Sequence, residues 1–304
     1  MKVWLSAFRL RTLPLAVSSI LVGSSLAYLG GRWNNSGPVP FRPIILVLAL
    51  LTAILLQILS NLANDLGDHQ HGTDNKDRVG PQRAVQSGAI SPGAMRRAMI
   101  ICGSLAFVSG CALIAVALGF SLTTLAFLVL GLAAIGAAVK YTFGRNPYGY
   151  AGFGDMSVFI FFGIVGVCGT FYLHSQDLGS VILLPAAAFG FLSVGVLNLN
   201  NMRDIDNDSA SGKGTLVVRM GSANARIYHT ALLVFGLLCL VAFTAMSEPS
   251  WKRWLFLAIV PGFVVHLKRV WSASDPRALD PQLKVLAMGT FLTAILFSLG
   301  LILV

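Results

Sequence analysis

Two short polar clusters interrupt long apolar runs, Asn64-Asp65-Leu66-Gly67-Asp68 and Asn200-Asn201-Met202-Arg203-Asp204, and each sets an Asn four residues ahead of an Asp. A further acid follows each, Asp74 and Asp208. Carboxylates packed this densely repel by ~4 kcal/mol per close pair at an effective dielectric of 20, so a cation is expected to hold them together. On a helix, residues i and i+4 share a face, which aligns Asn64 with Asp68, and Asn200 with Asp204 and then Asp208. Hard oxygen donors suit Mg²⁺, which binds through one or two carboxylates plus substrate phosphates. Basic residues accompany both clusters, Lys76, Arg78 and Arg83 after the first and Arg203 and Lys213 with the second, and point to a phosphorylated ligand. A diphosphate with an apolar tail fits this chemistry. One cluster alone reads as solvated charge at a helix end. Two with a shared core favour function, because ionisable groups at membrane depth rarely lack a role.

The chain that must position these residues is 56% apolar and 11% charged over 304 residues, with a mean hydropathy of +0.77. That excludes an ordinary soluble domain and gives an all-α, polytopic membrane protein. Charge-poor runs near the ~20 residues needed to cross a bilayer predict nine helices in a single transmembrane domain over 1–304. They fall at 12–31, 43–64, 98–118, 121–139, 156–176, 178–202, 227–247, 254–267 and 285–304. The eighth is short, so it should tilt little or rely on Lys252, Arg253, Lys268 and Arg269 snorkelling at its ends. With the N-terminus cytoplasmic, 18 Lys and Arg fall in inner segments and only Arg32, Arg42, Lys252 and Arg253 in outer loops. The C-terminus is then outside, and both clusters lie on the cytoplasmic side, ending helices two and six. This bias also accounts for the net charge of +10, facing an anionic leaflet, without any nucleic acid.

Lys2, Arg9 and Arg11 ahead of an apolar run resemble a signal peptide, but an uncleaved first helix is the expected reading. Cys102, Cys111, Cys168 and Cys239 all lie within predicted spans and suggest packing, with neither disulfide framework nor zinc site. Asp68 and Asp204 are 136 residues and four helices apart, a weak parallel repeat of four helices.

Ser60 to Asp68 with Gly72-Thr73-Asp74, and Asn201 to Asp208 with Gly212-Lys213-Gly214-Thr215-Leu216, resemble the two signatures of the UbiA superfamily of intramembrane prenyltransferases. Arg11-Thr12-Leu13-Pro14, Tyr141-Thr142 and Pro147-Tyr148-Gly149-Tyr150 extend the likeness over nearly the whole chain. The acid at Asp74, with Gly at 72, is similar to the naphthoate branch. Leu10 and Asp155 depart from that branch, which often has Pro and Glu there. The resemblance implies a bacterial cytoplasmic-membrane enzyme whose central cavity opens to the cytoplasm. Its activity would move a polyprenyl group from polyprenyl diphosphate to 1,4-dihydroxy-2-naphthoate, releasing diphosphate and CO₂ and giving demethylmenaquinol. It also implies Mg²⁺, held with the diphosphate by Asn64, Asp68, Asp74, Asn200, Asp204 and Asp208, with Asp68 and Asp204 catalytic. Lys76, Arg78, Arg83, Arg203 and Lys213 would bind diphosphate, and Arg145, Tyr141 and Arg11 the aromatic acceptor. Tyr141, Phe143 and Phe153 could face developing allylic charge with their π clouds.

Other residues carry two readings. Arg145 is a carboxylate ligand or a topological anchor, and Asp65 a ligand or an orienter of Asn64. His69 and His71 read as solvated loop histidines, Gly163, Gly166 and Gly169 as packing positions, and Lys268, Arg269 and Arg277 as topological. Rival functions are prenyl transfer to homogentisate or 4-hydroxybenzoate, or a cation- or proton-coupled transporter, which would need its acids near mid-membrane.

Overall fold

The computed structural model describes residues 2–29, 40–75 and 79–303, so Lys76 and Arg78, expected at the diphosphate, and Arg32 lie outside the described residues. Every regular element among the described residues is helical. Nine are long and apolar enough to cross a membrane: α1 Lys2–Tyr28, α2 Pro43–Gln70, α3 Pro92–Leu118, α4 Leu122–Lys140, α5 Gly154–Ser175, α6 Ser180–Arg203, α7 Leu216–Ala245, α8 Trp251–Ser272 and α9 Pro276–Ile302.

Local chemistry sets several boundaries. Pro43 opens α2 in its first turn, where a missing N–H costs nothing. Ser91, Ser121 and Thr215 cap α3, α4 and α7 by accepting from the N–H groups of Ala94, Thr124 and Val218. Most helices run past their expected limits: α1, α3, α7 and α9 begin earlier, at Lys2, Pro92, Leu216 and Pro276, because charged and polar residues at the helix ends stay helical beyond the charge-free run. Helix α2 continues to Gln70, so the whole first cluster is helical. Helix α8 covers 22 residues, starting with a tighter 3₁₀ stretch over Trp251–Ile259, and is not short. Arg253 does not snorkel, since its side chain is 1% exposed, whereas Lys268 and Arg269 do reach the surface.

Lipid tails are as apolar as leucine, so packing rather than water exclusion joins these helices, and small residues allow the closest contacts. A Cβ on Gly163 of α5 would stand 2.6 Å from the Ala186 carbonyl oxygen of α6, so any side chain there would push the two helices apart. Gly166 packs as closely on Ser19 of α1, while Gly169 meets no neighbouring helix. Helix α5 is π-helical over Phe159–Gly169, and Ser19 donates to the Phe162 carbonyl within that wider winding. The four cysteines are free. Helix α4 has no buried residue and packs mainly on α2 and α3, touching α5 where Phe127 stacks on Tyr172, with Leu125, Val129 and Leu132 turned outward to lipid. The C-terminal ends of α2, α4 and α6 and the N-terminal ends of α3, α5, α7 and α9 meet at one end of the bundle.

Candidate functional site

Gln57, Asn61, Asn64 and Asp68 follow one another at helical spacing along one face of α2, and all four line a central cavity. Gly67 lets the α4–α5 connection reach this helix, since a Cβ there would lie 2.5 Å from the Thr142 carbonyl oxygen. Thr142 then donates to Asn64 Oδ1 at 2.8 Å. Asp65, one residue on, faces about 100° away and cannot share that face. Its carboxylate instead accepts the N–H groups of Ala84 and Val85 at 3.2 and 3.1 Å, which fixes the loop before α3. Arg83 is thereby aimed into the cluster. It pairs with Asp68, donates to the Asn64 carbonyl at 2.6 Å and approaches Asp74 at 3.3 Å. Replacing Asp65 by Ala should strand both buried amides and lower stability by about 1–3 kcal/mol, while weakening rather than abolishing activity. Thermal unfolding beside product assays checks this.

The second cluster is built around a buried base. Asp204 leaves the helical conformation and kinks the backbone between α6 and a short helix, Ile205–Ala210, although the Asp204 and Asp208 N–H groups still donate to the carbonyls four residues before them. Arg203 grips both Asp204 oxygens at 2.9 and 2.6 Å, pairs with Asp280 of α9 and donates to Asn200 Oδ1 at 3.0 Å. With its side chain 0% exposed, it presents no donor to the cavity. Lys213 lies 3.4 Å from Asp208 and 5.4 Å over the Tyr150 ring.

The clusters meet directly. Asn207 donates to the Thr73 carbonyl at 2.8 Å, and Tyr150 donates to Asp68 at 2.7 Å while its hydroxyl contacts Thr73 Oγ1 at 2.6 Å. Burial, with Asp68 adding, raises the Tyr150 phenol and keeps it a donor. Burial pushes the Asp208 carboxyl up to about 6, Lys213 opposing and Asp204 and Asp68 adding. For Lys213, burial opposes the charge but Asp68 and Asp208 outweigh it and raise the ammonium.

Bases supply part of the positive charge that the acids call for: Arg83 joins Asp68 to Asp74, Arg203 joins Asp204 to Asp280, and Lys213 faces Asp208. Among the described residues, no three His, Cys, Asp or Glu side chains converge as a ready metal cage.

The cavity encloses about 380 Å³. Its charged end presents Arg9, Arg11, Asp68, Arg83 and Lys213 with Asn64 and Asn200, and its apolar depth is walled by residues such as Ile20, Leu113, Phe127, Leu130 and Phe161. Tyr141 lines it, whereas Phe143 and the half-exposed Phe153 do not. Asp74, Asp204 and Asp208 stand buried behind the wall, and His69 and His71 are exposed. Arg145 is exposed and does not line the cavity. Arg145→Ala should leave the KM for an aromatic acid within about twofold, as expected of surface substitutions. A tenfold rise would return it to the binding site. Sequence reasoning missed Asp280, Tyr150, Arg9 and Gln57. Gln57 carried a signal in its place on the Asn61-Asn64-Asp68 stripe, and Tyr150 in its place in the Pro147–Tyr150 motif.

Residues 16–296 match the model of the UbiA prenyltransferase family. The chain is 46% identical over 302 residues to "1,4-dihydroxy-2-naphthoate octaprenyltransferase" of Escherichia coli (strain K12), covering 99% of this chain and 96% of that one. In fold it is similar to a UbiA homolog from Aeropyrum pernix K1, with a TM-score of 0.71 at 15% identity, covering 97% and 98% of the two chains. It is also similar to a UbiA homolog from Archaeoglobus fulgidus bound to DMAPP and Mg²⁺, with a TM-score of 0.59 at 18% identity, covering 95% and 98%.

Proposed function

The chain belongs to the UbiA prenyltransferase family, and on that footing we propose that it transfers a polyprenyl group from polyprenyl diphosphate to 1,4-dihydroxy-2-naphthoate, releasing diphosphate and CO₂. The observation that carries this reading is the division of the cavity, a cationic and acidic rim on an apolar chamber. A diphosphate matches the rim and an isoprenoid tail the chamber. Acids at helix ends, rather than at mid-span, disfavour the coupled transporter.

The donors fit Mg²⁺. Asp208 Oδ2 and Asn207 Oδ1 are buried without a hydrogen-bond partner, and the ion needs only one or two carboxylates beside phosphate oxygens. Asn64 and Asp68 would hold it from the cavity wall, with Asp208 reaching it from behind Lys213, and when bound it supplies positive charge against the leaving diphosphate. Arg83 and Lys213, relieved of their carboxylates, bind the phosphate oxygens. Asp74 steadies Arg83, and Arg203 holds Asn200 and Asp204 in place without touching substrate. Tyr150 orients Asp68 through its 2.7 Å hydrogen bond. The apolar chamber keeps water from capturing an allylic cation, and Tyr141 offers that charge a π face. Arg11, held only loosely by Asp280 at 3.7 Å, is left to meet the acceptor's carboxylate. The rim faces the cytoplasm of a bacterial cell, with the N-terminus inside and the C-terminus outside.

Purified protein in lipid, given dihydroxynaphthoate, a polyprenyl diphosphate and Mg²⁺, should yield prenylated quinol by mass. EDTA should stop it, and 4-hydroxybenzoate or homogentisate should not replace the naphthoate. Product from either of those instead would move the chain to another acceptor class, and none from any would sink the reading.

A further inference from the structure

We propose that Gln57 is a specificity-determining residue for the aromatic acceptor, its amide oxygen accepting a hydrogen bond from a ring hydroxyl. The inference rests on the acceptor reading above and deepens it. A chain of hydrogen bonds sets the direction of this amide. The Phe8 carbonyl can only accept, and it takes the Asn61 Nδ2 proton at 2.9 Å. Asn61 Oδ1 must then face the other way, towards Gln57, and it accepts from Gln57 Nε2 at 3.3 Å. Thr12 holds the same arrangement, its hydroxyl accepting from Asn61 at 3.1 Å and donating to the Arg9 carbonyl at 3.0 Å. With the Gln57 amino group committed to Asn61 and Thr12, its Oε1 has no donor among the described residues, although the side chain lines the cavity.

Such an oxygen asks for a donor from the ligand. A prenyl diphosphate brings hydrocarbon and acceptor oxygens and cannot meet it. A dihydroxylated ring brings two O–H donors. Gln57 lies seven residues before Asn64, about 10 Å deeper along α2 than the rim, where Arg11 and Thr12 of α1 stand across the cavity wall. The acceptor is thus held at two places, its carboxylate by Arg11 and a hydroxyl by Gln57. A site built to accept a substrate hydroxyl rejects analogues that lack it, because the polar group is then left unpaired.

The test compares Gln57→Met, which keeps the size and removes the oxygen, with Gln57→Glu, which keeps an acceptor oxygen. Gln57→Met should raise the KM for dihydroxynaphthoate about tenfold and leave the KM for polyprenyl diphosphate unchanged, as for one lost hydrogen bond. Gln57→Glu also gives up the donor to Asn61, as Gln57→Met does, but keeps the acceptor oxygen, so it should raise that KM clearly less than Gln57→Met. Inhibition by 1-hydroxy- and 4-hydroxy-2-naphthoate gives a readout that a merely structural role would not move. One of the two should bind wild type and Gln57→Met equally, having lost the hydroxyl that Gln57 recognises. The proposal is overturned if both KM values rise together, if neither moves, or if both analogues weaken as much as the parent. Wild type active on naphthoate with an indifferent Gln57→Met sinks this inference alone, whereas inactive wild type sinks the acceptor reading and this with it.

Discussion

Product formation by Asp68→Asn is expected to fall about a thousandfold, with the protein still folded in the membrane. Asp68 is the one acid among the described residues that reaches the cavity wall, so its charge is the one placed to hold a cation against a bound diphosphate. Asn preserves the shape and leaves Tyr150 an acceptor, so the variant removes charge with little else. Arg83 keeps Asp74 at 3.3 Å as a partner, which limits the cost of an otherwise unpaired buried guanidinium. Asp68→Ala is the harsher change, because the Tyr150 hydroxyl also loses its partner, at an added cost of about 1–3 kcal/mol. Mass detection of prenylated product, paired with thermal unfolding of both variants, separates the two effects. Activity of Asp68→Asn within tenfold of wild type would remove Asp68 from the metal site.

The spans and the two acid clusters were legible because both rest on local patterns, charge-free length and i, i+4 spacing. What balances the acids was not. Arg83 follows Asp68 at no helical interval, and Arg203 meets Asp280 across 77 residues, a pairing made only when α6 and α9 pack. Both arginines looked like phosphate ligands, yet one lines the cavity and the other is sealed from it. Asp65 was open to analysis, since adjacent helical residues cannot face one way, and its place beside Asn64 already argued against a shared role. Arg145 could not be placed, because a loop residue has no periodicity to say where it points. Tyr150 lay within a quoted motif, but its junction with Thr73, Asp68 and Lys213 exists only once three connections converge.

Arg203→Met is expected to cost stability, about 3–5 kcal/mol, rather than diphosphate affinity. The guanidinium is sealed inside the protein and satisfies Asp204 and Asn200 at once, while Asp280, with a side chain one-third exposed, can turn to water. Removing the base takes from Asp204 the two buried hydrogen bonds that hold its oxygens, which is the expensive half of a broken pair. Adding Asp204→Asn should therefore recover much of the loss, and adding Asp280→Asn much less. The notion that Arg203 binds phosphate predicts a different result: a folded Arg203→Lys enzyme with normal unfolding temperature and a KM for polyprenyl diphosphate raised tenfold or more. Lysine cannot hold both Asp204 oxygens as a planar fork does, so here Arg203→Lys should itself be destabilised, with KM in the folded fraction little changed. Unfolding curves and KM values for Arg203→Met, Arg203→Lys and Arg203→Met/Asp204→Asn decide between a clamp behind the site and a hand on the substrate.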